Sequence, residues 1–162
     1  MSKMENSTGA PEIGQGKRGE DGHIGYLLQQ AAGVFRLRMA RALADLDVTP
    51  PQFAVLTMLS AYPGLSNAEL ARLALLTPQT LSVIVANLLR SSAVVRHAHP
   101  VHGRILNLEL SDAGRQLLAR CRDRVHAIEA ELVAETPPDD IGAVRRWLVR
   151  VARQGGGTLE EG

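Results

Sequence analysis

Residues 66–90 read SNAELARLALLTPQTLSVIVANLLR, and this stretch contains the start signals of two consecutive helices. The first signal is the Ser-x-x-Glu spacing of Ser66 and Glu69, which is typical of a capping box. In a capping box the serine hydroxyl and the glutamate carboxylate satisfy backbone N–H groups that the helix start leaves without partners. The spacing therefore predicts a short helix that runs through Leu75.

The second signal is Thr77 followed by Pro78. The threonine hydroxyl can cap a helix, and proline is favoured in the first turn, where no backbone donor is required. These residues predict a helix that ends at about Ser91. Because only a tight connection separates the two helices, the pair predicts a helix-turn-helix.

The second helix of this pair has two distinct faces. Its apolar residues follow the i, i+3, i+4, i+7 spacing of a buried face, with Leu81, Ile84, Val85 and Leu88. The opposite face carries mostly short or amide side chains, with Gln79, Thr80, Ser82, Val83, Ala86 and Asn87. No charged residue occurs between Leu76 and Leu89, whereas a helix face that only meets water usually carries Glu and Lys. This uncharged face favours contact with base edges in a DNA major groove.

Individual side chains on this face suit particular bases. The amides of Gln79 and Asn87 can each bond an adenine edge, and Thr80 and Val83 can contact a thymine methyl. Arg90 and the helix starts at Ser66 and Thr77 are expected to bind phosphates. The predicted DNA site comprises Ser66, Thr77, Pro78, Gln79, Thr80, Ser82, Val83, Asn87, Arg90, His102 and Arg104.

Two segments of β character follow, at 94–98 and 105–110, around a tip that contains Pro and Gly. They predict a hairpin. Arg104 at the tip is placed to enter a narrow minor groove, and the alternative is that its side chain is merely solvated.

The histidines of this segment and Cys121 each allow another chemistry. His97, His99 and His102 lie close together and imidazole binds metals, but no carboxylate or cysteine accompanies them in the sequence, so no metal is expected. Cys121 has arginine neighbours that favour a reactive thiolate, although a partly buried apolar role is the simpler interpretation. No catalytic constellation or glycine-rich phosphate loop occurs, which excludes the common enzyme motifs and predicts no cofactor.

Composition limits the fold class. The 162 residues are 45% hydrophobic and only 3% aromatic, with a net charge of +1, which predicts a mainly α protein with a small hairpin. The single cysteine fits a reducing cytoplasm, and no apolar stretch approaches a membrane span. Residues 1–22 and 154–162 are expected to be flexible tails around a single domain at 23–153.

Further helices are predicted on both sides of the central pair. One covers 23–46, with a stripe of Leu27, Ala31, Val34, Met39, Ala42 and Leu46. Thr49-Pro50-Pro51 opens another, which ends before Tyr62, and Ser111-Asp112 and Thr136-Pro137-Pro138 open the last two, at 113–134 and 138–153.

The order and spacing of these motifs resemble the MarR (multiple antibiotic resistance regulator) family over roughly residues 24–153. The resemblance rests on the runs LDVTPPQFAVL at 46–56, LSNAELA at 65–71, 77–89 and LELSDAGR at 108–115. It implies a homodimer held by helices 23–46 and 113–153, in which two winged helix-turn-helix lobes at 50–110 bind a pseudo-palindromic operator in double-stranded DNA. It also implies a repressor released by a small apolar or phenolic effector.

The chain departs from the family pattern in three places. The wing reads His102-Gly103-Arg104 where an Asp usually precedes the Arg, Val83 stands where many relatives carry Arg, and Ser92 stands where Gly is usual. The operator sequence therefore cannot be transferred from relatives. A winged-helix module that binds a protein partner without reading DNA is the alternative function.

Overall fold

The computed structural model describes residues 10–98 and 106–155. The helices are α1 (Ile24–Leu43), α2 (Pro50–Ala61), α3 (Asn67–Leu73), α4 (Pro78–Arg90), α5 (Asp112–Val133) and α6 (Pro138–Gly155). Strands β1 (Val94–Ala98) and β2 (Leu106–Leu110) form one antiparallel pair, in which Val94 pairs with Leu110 and Ala98 with Leu106. Single 3-10 turns occur at Gly16–Arg18 and Ala44–Leu46. The fold is mainly α with a small β-hairpin, as the composition predicts.

The predicted helix starts are confirmed by their capping contacts. The Thr49 hydroxyl accepts a hydrogen bond from the backbone N–H of Gln52, and the Gln52 side chain accepts one from the Thr49 N–H. Ser66 and Glu69 form the expected capping box at α3. The Ser111 hydroxyl accepts from the N–H of Gly114 at the start of α5.

Two helix predictions need correction. The helix expected to run through Leu75 ends at Leu73, because Leu75 adopts a left-handed conformation with φ of 54° and turns the chain toward α4. In α1, the predicted stripe is only partly buried: Ala31 and Val34 are exposed, whereas Leu43, which the stripe omitted, is fully buried. The helix carries a second apolar face that a single stripe does not describe.

The core consists of two adjoining clusters. The larger joins α2, α3, α4, the hairpin and the start of α5, and centres on Val55, Leu56, Leu70, Leu81 and Leu118. The smaller joins α1 to α5 through Leu43, Val48, Cys121 and Val125. Phe53 and Leu117 pack against both clusters. The helix-turn-helix lobe is therefore in direct van der Waals contact with the long helices.

Candidate DNA-binding surface

The turn between α3 and α4 sets the angle of the two helices. Leu75 in its left-handed conformation gives a connection short enough for the N–H of Leu76 to donate to the carbonyl of Ala71 at 2.9 Å. The two helices are bent by 103° relative to one another. This angle lies in the range of helix-turn-helix motifs, roughly 90–120°.

The start of α4 is fixed by its cap. The Thr77 hydroxyl accepts from the backbone N–H of Thr80 at 3.1 Å, and the two threonine hydroxyls lie 2.9 Å apart. Pro78 occupies the first turn. Pro78 has no backbone N–H and the N–H of Leu81 donates to the Thr77 carbonyl at 2.9 Å, so in this turn the N–H of Gln79 is left without a helical partner. The aligned peptide dipoles give the start of the helix a partial positive charge.

The burial of α4 confirms the two faces inferred from its sequence. Leu81, Ile84, Val85 and Leu88 are all at most 6% exposed. Gln79, Thr80, Ser82, Val83 and Ala86 are exposed, and Asn87 is half-buried. Val83, at 62% exposed, presents an apolar side chain in the middle of this surface. The result is an open surface without formal charge.

Some polar side chains of this surface already have partners. The Ser82 hydroxyl donates to the carbonyl of Pro78 at 2.9 Å. The Asn87 carbonyl oxygen accepts from the Arg90 guanidinium at 3.0 Å. The side chain of Gln79 makes no hydrogen bond to any other residue in the described ranges 10–98 and 106–155.

The start of α3 carries a negative charge. The Glu69 carboxylate accepts from the backbone N–H of Ser66 at 2.9 Å and from the Ser66 hydroxyl at 2.7 Å. These hydrogen bonds hold the pKa of Glu69 below its ordinary value, so the group is ionised at neutral pH. A phosphate at Ser66 would therefore have to displace, or lie beside, this carboxylate.

The hairpin brings a carboxylate to the histidine group. His97 Nε2 lies 3.9 Å from a carboxylate oxygen of Glu109 on the neighbouring strand. The sequence-based statement that no carboxylate accompanies these histidines was wrong, because antiparallel pairing placed β2 beside β1.

Within residues 10–98 and 106–155 no group of three or more His, Cys, Asp or Glu side chains is arranged to hold a metal. The predicted tip, with His99, His102 and Arg104, lies outside the described residues.

Cys121 is fully buried against Leu43, Val48 and Val125. Burial raises the pKa of its thiol, and the charges of Arg120 and Arg124 offset this only in part. The alternative of an arginine-stabilised, reactive thiolate is contradicted, because this side chain points into the core. The interpretation of Cys121 as an apolar residue is confirmed, although its side chain is completely rather than partly buried.

Apolar side chains remain exposed on the long helices. On α6, none of the side chains whose exposure is described is buried. The exposed apolar residues of the three long helices are Ile24, Tyr26, Val34 and Leu37 on α1, Leu132 and Val133 on α5, and Val144, Leu148 and Val149 on α6.

A surface groove of about 520 Å³ lies between the outer face of α1 and the start of α2. Apolar atoms of Val34, Leu37, Ala40, Pro50 and Pro51 form much of its wall. Gln29, Gln30 and Arg36 provide polar groups, and Gly33 completes the lining. The groove therefore combines an apolar wall with one cationic side chain.

A helix pair bent at 103°, a capped and uncharged α4 surface and an antiparallel hairpin define a winged helix-turn-helix protein. A sequence model of the MarR family matches residues 46–105. The HTH-type transcriptional repressor Rv2887 of Mycobacterium tuberculosis is 41% identical over 132 residues, which are 82% of this chain and 95% of that repressor. The chain therefore belongs to the MarR family of transcription regulators.

Solved structures support the same assignment. Rv2887 in complex with salicylic acid is 37% identical over 82% of this chain and 98% of its own, with a TM-score of 0.67. Rv2887 in complex with DNA is 34% identical over 81% of this chain and 98% of its own, with a TM-score of 0.65. The repressor CouR of Rhodococcus jostii, bound to a 23-mer DNA duplex, is 28% identical over 88% of this chain and 99% of its own, with a TM-score of 0.75.

Proposed function

We propose that this protein is a homodimeric repressor that binds a pseudo-palindromic duplex site and is released by a small aromatic acid. The observation that carries the proposal is the exposed, uncharged face of α4, set at 103° to α3. The repressor function of Rv2887 and the DNA complexes of Rv2887 and CouR support it.

In the proposed complex, the face from Pro78 to Asn87 enters the major groove of each half-site. The capped start of α4 at Thr77 and the guanidinium of Arg90 bind phosphates on either side. Arg104 and His102, which the sequence predicts at the tip of the hairpin, are proposed to contact the adjacent minor groove. At Ser66 the Glu69 carboxylate weakens any phosphate contact, so we assign that position the smallest share of the affinity.

The dimer interface is proposed to consist of the exposed apolar residues of α1, α5 and α6, in the segments 23–46 and 113–153, except Val34 and Leu37, which line the groove between α1 and α2. Exposed apolar side chains on a single copy favour self-association, because contact with a partner removes their surface from water. A two-fold axis between the lobes then sets two half-sites about one helical turn apart. Residues 50–110 would form each winged lobe.

The groove between α1 and α2 is the proposed effector site. Its apolar wall suits a benzene ring, and Arg36 suits a carboxylate. It joins a dimer helix to the first helix of the DNA-binding lobe. A ligand that binds better in one lobe arrangement shifts the population toward that arrangement, which changes affinity for DNA.

We place the protein in the cytoplasm as a regulator without catalytic activity. Membership of a family of transcription regulators supports this. Among the described residues no single helix is long and apolar enough to cross a membrane, and the one consecutive pair that has the length and composition is the bent α3 and α4 pair.

The test is selection from random duplex DNA with the purified full chain, followed by binding of the enriched sequence across a salt series. We expect an inverted repeat with half-sites about 34–36 Å apart and an affinity that falls steeply with salt. If no sequence is enriched and no duplex binds at low salt, the DNA-binding proposal fails and the winged-helix module for a protein partner takes its place.

The effector arm compares salicylic acid with salicylamide, which has a similar shape but no carboxylate. Salicylic acid is expected to release the operator and salicylamide to do so only weakly. The Arg36→Gln variant should bind operator normally and respond to neither compound. Equal release by both compounds would contradict the role given to Arg36.

A further inference from the structure

The outermost residues of α4 are not equivalent in what they offer to DNA. Each residue of an α-helix is turned by about 100° from the one before. Relative to the buried face, this places Gln79, Val83 and Ala86 at the centre of the exposed face, with Thr80 and Asn87 on one flank and Ser82 on the other. The central residues therefore project furthest toward a groove that receives this helix.

The flanking polar groups are partly occupied within the helix. The hydroxyl of Thr80 contacts Thr77, the hydroxyl of Ser82 donates to a backbone carbonyl, and the carbonyl oxygen of Asn87 accepts from Arg90. An amide needs both its oxygen and its nitrogen to bond an adenine edge in two places. The hydrogen bond from Arg90 occupies one of the two lone pairs of the Asn87 oxygen and restricts the orientation of this amide. The Gln79 side chain makes no hydrogen bond to the described residues, so its oxygen and nitrogen are both available to a base.

We propose that each half-site contains an adenine bound by the Gln79 amide and a thymine whose methyl group packs on Val83. This inference rests on the proposed function and specifies its DNA sequence class. Gln79 and Val83 are four residues apart, so they are separated by about 6 Å along the helix. Base pairs are about 3.4 Å apart, so the two A·T pairs lie within about two steps of each other.

The lack of charge on this face also argues against a guanine-centred half-site. Arginine and lysine are the side chains that most often bind guanine O6 and N7. Arg90 has the same angular position as Gln79, Val83 and Ala86, but it is the last residue of α4, one turn beyond Ala86, and its guanidinium contacts Asn87. We assign it to a phosphate, so no cation remains among the first three turns of this face. Recognition of A·T pairs is what the remaining side chains can provide.

The test uses the enriched operator with deoxyuridine placed at one thymine at a time, which removes only the methyl group. We expect one position in each half-site where this change weakens wild-type binding by about fourfold. In the Val83→Ala variant, loss of this methyl group should leave operator affinity unchanged. In the Val83→Ile variant, which keeps a large apolar side chain, it should weaken binding as in the wild type. Thymines elsewhere in the operator serve as internal controls.

The second arm exchanges the amide for an acid. Glutamate accepts a hydrogen bond from cytosine N4, so selection with Gln79→Glu should replace one adenine of each half-site by cytosine. Gln79→Ala should lose at least about fivefold in affinity and accept any base there.

The outcomes separate this inference from the proposed function. An enriched inverted repeat with a G·C core, or equal deoxyuridine effects on wild type and Val83→Ala, overturns the base assignment and leaves the repressor proposal intact. The absence of any enriched sequence overturns the proposed function, and this inference with it.

Discussion

Gly114, in the first turn of α5, approaches Ala93 so closely that a Cβ on Gly114 would lie 1.9 Å from the Ala93 carbonyl oxygen. The same junction contains a hydrogen bond from the Ser111 hydroxyl to the Ser92 carbonyl at 2.6 Å and one from the Ser111 N–H to the Ala93 carbonyl at 3.1 Å. These contacts join the chain just after α4 to the start of α5.

Gly114→Ala should therefore destabilise the protein. The added methyl cannot fit against a backbone carbonyl without moving β1 or α5, so we expect a loss of about 3 kcal/mol in the free energy of unfolding. Chemical denaturation measures it. Gly25→Ala, at a helical glycine with nothing within 4 Å, is the matched control and should be neutral or stabilising. If both variants had the same free energy of unfolding, the close contact between Gly114 and Ala93 would be contradicted.

Leu75 and Ser92 are non-glycine residues with left-handed backbones, at φ of 54° and 60°. Glycine adopts this conformation without the steric penalty of a Cβ, so Leu75→Gly and Ser92→Gly should each raise stability by about 0.5–1 kcal/mol. Leu75 is also 83% exposed, so its side chain adds little packing. Thermal denaturation tests both variants. A lower melting temperature for Leu75→Gly would show that this side chain stabilises the fold.

The ion pair between Arg124 and Asp45 links α5 to the end of α1. Arg124 donates to both carboxylate oxygens of Asp45, at 3.2 and 2.8 Å, and also to the Ala42 carbonyl. The hydrogen bond from Arg124 lowers the pKa of Asp45 below its ordinary value. The stabilisation is therefore fully present above about pH 4 and is lost as the pH falls through the lowered pKa.

Asp45→Asn should accordingly reduce the melting temperature at pH 7 and have progressively less effect toward pH 2. The control is the same change in an Arg124→Gln background, where the pH dependence should disappear. A difference between wild type and Asp45→Asn that stays constant over this range would rule out a contribution from the charge of Asp45.

Glu69→Gln separates the capping role of this residue from its charge. Glutamine can make the same capping hydrogen bonds, so α3 should remain folded with only a small loss of stability. Removal of a negative charge near the DNA phosphates should raise operator affinity by about threefold at low salt, with a smaller gain at high salt. Unchanged affinity at every salt concentration would place this helix start away from the phosphates.

Cys121 should react with thiol reagents only when the protein unfolds. Its side chain is fully buried and burial raises its pKa, so the thiolate is both rare and inaccessible. The labelling rate is expected to follow global unfolding and to rise with denaturant. Rapid labelling under native conditions, together with loss of DNA binding, would instead support a thiol switch.

Much of the fold follows from local signals in the sequence. The caps at Thr49, Ser66, Thr77 and Ser111 each join two residues that are three positions apart, so a single helical turn of sequence is enough to predict them. The buried face of α4 follows from helical periodicity and was predicted in full. The Thr49-x-x-Gln52 capping box was also visible in the sequence, although only the hydroxyl cap was predicted.

Other features depended on contacts between distant residues. Glu109 reaches His97 only through strand pairing, and Arg124 reaches Asp45 across 79 positions of the chain. The left-handed turn at Leu75 lacks the glycine that usually signals this conformation. The binding roles of Ser66, Thr77, Asn87 and the other predicted site residues stay predictions.

Caps and helical periodicity operate over one or two turns, so the amino-acid sequence is enough to predict where helices begin, which face of α4 is buried and that its other face is uncharged. Long-range packing sets which of the exposed side chains have partners, how far Cys121 is buried and how α5 is joined to the wing. Those outcomes depend on how separate elements pack, and packing is set by the shapes of all of them together rather than by any one segment.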